Sequence, residues 1–245
     1  MSEVVFVGTS DAFGAGGRRQ SAVFVRGASG GMLIDCGATT CSGLNDLGIA
    51  RDEIDTLLIS HFHGDHFGGI PLLLLAALYE DERKAPLRIA GPPGIEARVR
   101  GLSAAMGHAV EGREWSFPLT FDELPVGREL ELGPVKVRSF ETYHTPDSIP
   151  HGLILDIGRQ RIAYSGDTGW FDGLPTQVAG ADLFISECTY HSHGFEYHLN
   201  YEMLLEQRKR FDCNRLVLTH LGNEMLPFRG ACELETADDG LRLEV

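Results

Sequence analysis

Lysine is nearly missing from this chain: Lys84, Lys136 and Lys209 are the only three in 245 residues, against 35 Asp and Glu and a formal net charge of −14. A surface that grips a long polyanion is normally basic, because phosphate neutralisation supplies most of that affinity. Nucleic acid is therefore not the expected partner. A small anionic substrate remains open, since bound divalent cations reverse the local field. Long apolar runs are missing too. The longest, residues 70–79, is too short to span a bilayer. The opening MSEVVFVGTS has no basic segment leading into an apolar one, so neither a membrane span nor a secretory signal is expected. Cys36, Cys41, Cys188, Cys213 and Cys232 are odd in number and show no CxxC spacing, which reads as reduced thiols in a cytoplasmic protein. With no low-complexity tract and no composition shift to mark a linker, residues 1–245 read as a single domain.

What is present is ordinary in bulk, 43% apolar and 23% charged, with 30 glycines suited to tight turns. Short β-branched runs predict strands at 4–7, 22–26, 32–35, 56–60, 87–90, 135–142, 152–157, 161–165, 182–187 and 215–219. Several show little alternation, as strands buried on both faces do. Helices are expected at 68–79, with Pro71 in the first turn, at 93–107, and at 201–211 behind an Asn200 cap. The tail reads as a hairpin, 232–236 against 241–245, turned at Asp239-Gly240. The whole is an α/β chain of mixed sheets packed together with helices outside. The apolar stretch 70–78 fits either a core helix or a homodimer face.

The informative segment is 56–69, where an apolar strand runs into His61-Phe-His63-Gly-Asp65-His66 and then into glycines. His61 and His63 are two apart, so in extended chain they point to one side and can chelate one ion. Gly64 permits a bend that turns Asp65 and His66 toward a second position. Imidazole with carboxylate suits zinc, and also manganese, iron or nickel. Further ligand types stand where other predicted strands stop: His144, Asp167 and His220.

Taken together, the HxHxDH cluster, His144, Ser165-Gly-Asp167-Thr and Thr219-His220 resemble the metallo-β-lactamase superfamily over nearly the whole chain. Leu33-Ile-Asp35-Cys-Gly37 resembles its early strand, whose aspartate supports the site from behind. The resemblance implies an αββα sandwich with two divalent ions at one edge. It assigns His61, His63 and His144 to one ion, Asp65, His66 and His220 to the other, and Asp167 to both.

Within the superfamily, Val7-Gly-Thr9-Ser and Ile185-Ser-Glu187-Cys-Thr resemble the RNase Z-like phosphodiesterases. That likeness gives Glu187 and His198 a catalytic role beside Asp65, which serves both as ligand and as catalytic residue. A hydroxide bridging two metals would attack phosphorus, and a histidine would protonate the leaving alkoxide. His191 and His193 lie in the same stretch, so the choice of His198 rests on the resemblance. Two departures stand out. The branch usually carries a transfer-RNA arm between the positions of His144 and Asp167, where this chain has only 145–166. Its threonine-containing triplet is His198-Leu-Asn here.

The expected function is hydrolysis of a small phosphodiester, such as a cyclic nucleotide or a headgroup ester. Competing readings are hydrolysis of a lactone, thioester or lactam, an RNase Z-like endonuclease, and a non-catalytic metal-binding module. The loop 8–20 either presents backbone N–H groups with Arg18 and Arg19 to a phosphate or is an ordinary surface loop. Cys36 is expected to be buried, and His108 and His151 to be peripheral.

Overall fold

The computed structural model describes residues 2–27 and 30–245. Two sheets of seven strands lie face to face. The first is built from β1 (Glu3–Gly8), β2 (Ala22–Gly27), β3 (Gly30–Ile34), β4 (Ile54–Leu58), β5 (Leu87–Gly91), β6 (Leu119–Glu123) and the last strand, β14 (Arg242–Glu244). The second holds β7 (Glu129–Leu132), β8 (Val135–Glu141), β9 (His151–Ile157), β10 (Gln160–Tyr164), β11 (Ala181–Glu187), β12 (Cys213–Thr219) and β13 (Glu235–Thr236). The strand orders are β14-β1-β2-β3-β4-β5-β6 and β13-β12-β11-β10-β9-β8-β7.

The missing alternation follows from burial of both strand faces. Val4, Phe6, Val23, Val25, Ile34 and Leu58 meet Val137, Leu153, Leu155, Ile162, Leu183 and Val217 between the sheets. The opposite faces carry Val5, Val7, Phe24, Leu33 and Leu57 on one side, and Phe140, Ile154, Phe184 and Leu218 on the other. Helices α1 (Thr40–Asp46), α2 (Gly64–Phe67), α3 (Ile70–Tyr79) and α4 (Ile95–Ala105) follow strands of the first sheet, and α5 (Leu174–Gln177) and α6 (Tyr201–Gln207) those of the second. Ile70, Leu73, Leu74, Ile95 and Val99 cover the first outer face, and Leu174, Tyr201 and Leu204 the second. Each buried methylene contributes roughly 0.8 kcal/mol, so three apolar layers dominate the stability.

Asn200 caps α6 as expected, its Oδ1 accepting from the Met203 N–H at 2.9 Å. The apolar stretch 70–78 is largely core: Ile70, Leu73, Leu74 and Ala77 are buried, while Leu72 is exposed. All five cysteines are unpaired, with Cys36 buried. No helix among the described residues is long and apolar enough to cross a membrane.

The tail departs from expectation. Instead of a hairpin, β13 pairs in parallel with β12 and β14 antiparallel with β1, so the two strands join different sheets. The Asp239-Gly240 turn carries the chain across. Asp239 accepts from the Thr9 N–H and hydroxyl and from the Arg19 N–H, and the Gly240 N–H donates to the Phe6 carbonyl. Strands β6 and β7 and helix α1 were not anticipated. The first two are half-polar edge segments, and Thr40-Cys-Ser-Gly-Leu-Asn-Asp has no helical apolar stripe.

His151 is not peripheral. It is 5% exposed, and its backbone N–H donates to the Ser60 carbonyl across the two sheets. Burial with no partner for Nδ1 pushes its pKa down to about 4. A neutral buried histidine leaves stability intact above the unfolded value of about 6.5 and costs stability as pH falls from there toward the folded value. The metal-free protein should therefore lose on the order of 1–3 kcal/mol between those limits that His151→Leu does not lose. Parallel pH series of thermal unfolding would show this; identical acid limbs for the two proteins would refute it.

Candidate metal centre

The site residues come from strand ends that meet at one rim of the sandwich. His61 and His63 follow β4, His144 follows β8, Asp167 follows β10, Glu187 ends β11 and His220 follows β12. Strands β10, β11 and β12 run parallel, so their carboxyl ends are level. The bend after His63 is made differently from expectation. Gly64 starts the helical turn α2 with ordinary φ, and a Cβ there would meet nothing within 4 Å. That turn points Asp65 and His66 inward. Close packing is needed instead at Gly37, where a Cβ would lie 2.3 Å from the Asp65 carbonyl oxygen.

Two sets of ligand-type atoms result. In the first, His63 Nδ1 is 3.2 Å from His61 Nε2 and 3.0 Å from His144 Nε2, and Asp167 Oδ2 lies 3.6 Å and 3.9 Å from the latter two. In the second, His66 Nε2 is 3.2 Å from both Asp65 Oδ2 and Asp167 Oδ1. His220 Nε2 is 3.3 Å and 3.5 Å from the same two oxygens. Asp167 thus gives one oxygen to each set. Four ligands placed tetrahedrally at about 2.0–2.1 Å from a cation stand about 3.3–3.4 Å apart. These His/Asp clusters are suited to holding metal ions.

The hydrogen bonds agree. His66 Nε2 and Asp167 Oδ1 are fully buried with no hydrogen-bond partner, a costly state unless something binds there. Each histidine has its other nitrogen occupied: His61 Nδ1 by Ser60 Oγ, His63 Nε2 by Thr145 Oγ1, His66 Nδ1 by Asp35 Oδ2, His144 Nδ1 by the Tyr197 carbonyl and His220 Nδ1 by Thr189 Oγ1. In the neutral ring such partners hold the proton on the outer nitrogen and leave the lone pair on the nitrogen facing the cluster. Asp35 sits behind the site as the resemblance implies. It also accepts from the Tyr164 hydroxyl and from the Ser60 hydroxyl and N–H. Asp35 and His220 hold left-handed backbone, with φ of 59° and 56°. Strained backbone of this kind clusters at functional sites.

The electrostatics divide the two sets. Burial, aided by neighbouring imidazoles, lowers the pKa of His61, His63 and His144. Burial also disfavours charge on His66 and His220, but the carboxylates of Asp167 and Asp65 prevail and raise both. Protons held there are what a divalent cation would displace.

Beside the second set, His198 Nδ1 lies 2.9 Å from Glu187 Oε1, and its ring stacks on His220 at 5.5 Å. Burial lowers its basicity, yet the Glu187 charge and hydrogen bond carry it up to about 9. Glu187 itself is buried and also accepts from the Thr168 N–H and the Thr189 hydroxyl. His191 packs between Tyr201 and Phe228, and His193 against Tyr190, which leaves His198 as the histidine of that stretch at the cluster.

The loop 8–20 does not offer its guanidinium groups to a ligand. Arg18 turns inward to Thr9 Oγ1 and the Ala237 carbonyl, while Arg19 binds the Val7 carbonyl and Asp46. Sequence reasoning passed over the hydroxyl partners Ser60 and Thr145 and the Thr168 N–H that donates to Glu187. Each adjoins a ligand-type residue in the chain, which is the one signal that could have found them.

A family profile described as anti-Pycsar protein Apyc1 matches residues 2–237. A ribonuclease Z of Natronomonas pharaonis is 27% identical, covering 96% of this chain and 92% of its own. The anti-Pycsar protein Apyc1 of Bacillus phage 010DV004 is also 27% identical, covering 92% of this chain and 91% of its own. The metallo-β-lactamase fold protein YhfI from Bacillus subtilis superposes with a TM-score of 0.79 at 21% identity, covering 100% of this chain and 99% of its own. The fold and the RNase Z-like resemblance read from the sequence are both borne out. The chain has the metallo-β-lactamase fold and belongs to the anti-Pycsar protein Apyc1 family.

Proposed function

We propose that the chain is a dinuclear metal-dependent phosphodiesterase acting on a small phosphodiester. His61, His63 and His144 would hold one ion, Asp65, His66 and His220 the other, and Asp167 would give one oxygen to each. Zinc is the assigned metal, because every donor is imidazole or carboxylate in four-coordinate spacing; manganese suits the same donors. When bound, two such ions supply Lewis-acid stabilisation of the attacking and leaving oxygens and a nucleophile at neutral pH.

The observation that carries the phosphodiester reading is the Glu187–His198 pair beside the second set. Glu187 takes the Nδ1 proton of His198 as its hydrogen-bond donor and holds the ring charged at neutral pH, leaving Nε2 to deliver a proton to a departing alkoxide. Of the carbonyl alternatives, a thioester expels a thiolate and needs no such donor; lactones and lactams are separated by the substrate panel below.

Small size is supported by several features. Residues 145–166 are used by a short turn at Pro146–Ser148 and the β9–β10 hairpin, leaving no length for an arm. The alignment with the Natronomonas ribonuclease Z runs over 290 positions against 245 residues here, so that relative carries at least 45 residues without counterpart. The charge of −14 disfavours a long polyanion. A second reading, transfer-RNA 3′ processing, is favoured by the names of relatives such as that ribonuclease Z, and the same features weigh against it.

With zinc, manganese or cobalt restored, turnover of bis-p-nitrophenyl phosphate should exceed that of a lactone and thioester panel. Carbonyl turnover without any phosphodiester turnover would sink the proposal.

A further inference from the structure

Thr189 has one hydroxyl proton and three polar neighbours. Its Oγ1 lies 2.9 Å from His220 Nδ1, 2.9 Å from Glu187 Oε2 and 3.3 Å from His198 Nδ1, and the residue is 5% exposed. Glu187 is a carboxylate and can only accept, so the hydroxyl proton must point to it. The oxygen then has only lone pairs for His220, which must donate from Nδ1. At the other end, Glu187 Oε1 accepts from His198 Nδ1. The order is thereby forced: His220 Nδ1–H to Thr189 Oγ1, Thr189 O–H to Glu187 Oε2, and His198 Nδ1–H to Glu187 Oε1. Replacing a proton on His220 Nε2 by a cation leaves this order unchanged, because Nδ1 keeps its hydrogen in both states.

From this directed chain we infer that Thr189 is a positioning residue that couples cation capture at His220 to the proton donor His198. The inference rests on the metal assignment proposed above. A cation drawing charge from His220 makes its Nδ1–H a stronger donor, and the hydroxyl passes that polarisation to Glu187, since linked hydrogen bonds strengthen one another. Coupling of this kind is reciprocal. Thr189→Val keeps the shape and removes the link; Thr189→Ser keeps the link and trims a methyl group.

Two readouts without substrate test it. The first is zinc affinity by chelator competition; the second is the downfield Nδ1–H resonance of His198, followed as zinc is added. Thr189→Val should weaken one of the two ions by about 10- to 100-fold and leave the other unchanged. Its His198 resonance should also respond less to zinc than in the unaltered protein, while Thr189→Ser keeps both behaviours. Unfolding temperatures of the metal-free variants check that each is folded, and Thr189→Ala, which also removes the hydroxyl, replaces the valine form if that form is not. Unchanged affinity in Thr189→Val, an undiminished zinc response there, or failure of Thr189→Ser to keep either behaviour would each overturn the inference. Neither readout involves hydrolysis, so a failed phosphodiester assignment would show separately in the substrate panel.

Discussion

Asp167→Ala should strip both ions from the chain, whereas Asp65→Ala should remove only one. Among the described residues, Asp167 alone is shared between the His61, His63 and His144 set and the Asp65, His66 and His220 set. Without it the first set keeps three histidines with no anion, and the second keeps Asp65 alone against two imidazoles. Those imidazoles hold protons largely through Asp167 and Asp65, once the opposing cost of burial is overcome. Metal analysis after gel filtration should find below one ion per chain for Asp167→Ala and about one for Asp65→Ala, against two for the unaltered protein. Loss of kcat/KM should reach about a thousand-fold or more for Asp167→Ala, on the order of 4 kcal/mol, as expected when metal-centred stabilisation of the transition state goes. Two ions retained by Asp167→Ala would remove the bridge from the account.

His198→Ala should behave oppositely, keeping both ions and losing the chemistry of poor leaving groups. A positioned proton donor contributes about 10²–10⁴-fold when the departing group is an alkoxide, and little for nitrophenolate, which leaves as the anion. The expected pattern is a loss in that range on alkyl phosphodiesters and less than about tenfold on bis-p-nitrophenyl phosphate. Equal slowing of both would argue against proton donation. The pH dependence follows from the sign of the shift. Because the Glu187 charge and hydrogen bond raise the His198 pKa, the donor is present on the acid side of its titration and lost on the alkaline side. The alkyl-substrate profile should fall on its alkaline side, and Glu187→Gln should move that fall toward the ordinary histidine value of about 6.5.

The parts of this site that were legible in the sequence are those made from rare residue types set close together. Three imidazoles and a carboxylate within 61–66 cannot be ordinary strand or helix residues, and strand ends at His144, Asp167 and His220 supplied the remainder. The sandwich was readable for a related reason: strands covered on both faces lose alternation, as Val4 to Val7 do. What escaped depends on partners far away in the chain. Asp239 and Gly240 look like a hairpin turn until Thr9 and Arg19, some 220 or more residues earlier, compete for the aspartate. Arg18 and Arg19 look like phosphate ligands until the Ala237 carbonyl and Asp46 take them. Thr145 behind His63 and Thr168 beside Glu187 are common residues, and only their adjacency to His144 and Asp167 distinguishes them. Thr189 came into view at the sequence level only through likeness to a family segment.

The most direct measurement of the central claim is kcat/KM of the metal-replete protein on cyclic mononucleotides and headgroup diesters, run beside precursor transfer RNA. The account predicts that at least one small diester reaches about 10⁴ M⁻¹s⁻¹, the lower end of ordinary enzymes, while the transfer RNA stays intact. Cleavage of the transfer RNA with every small diester untouched would contradict it.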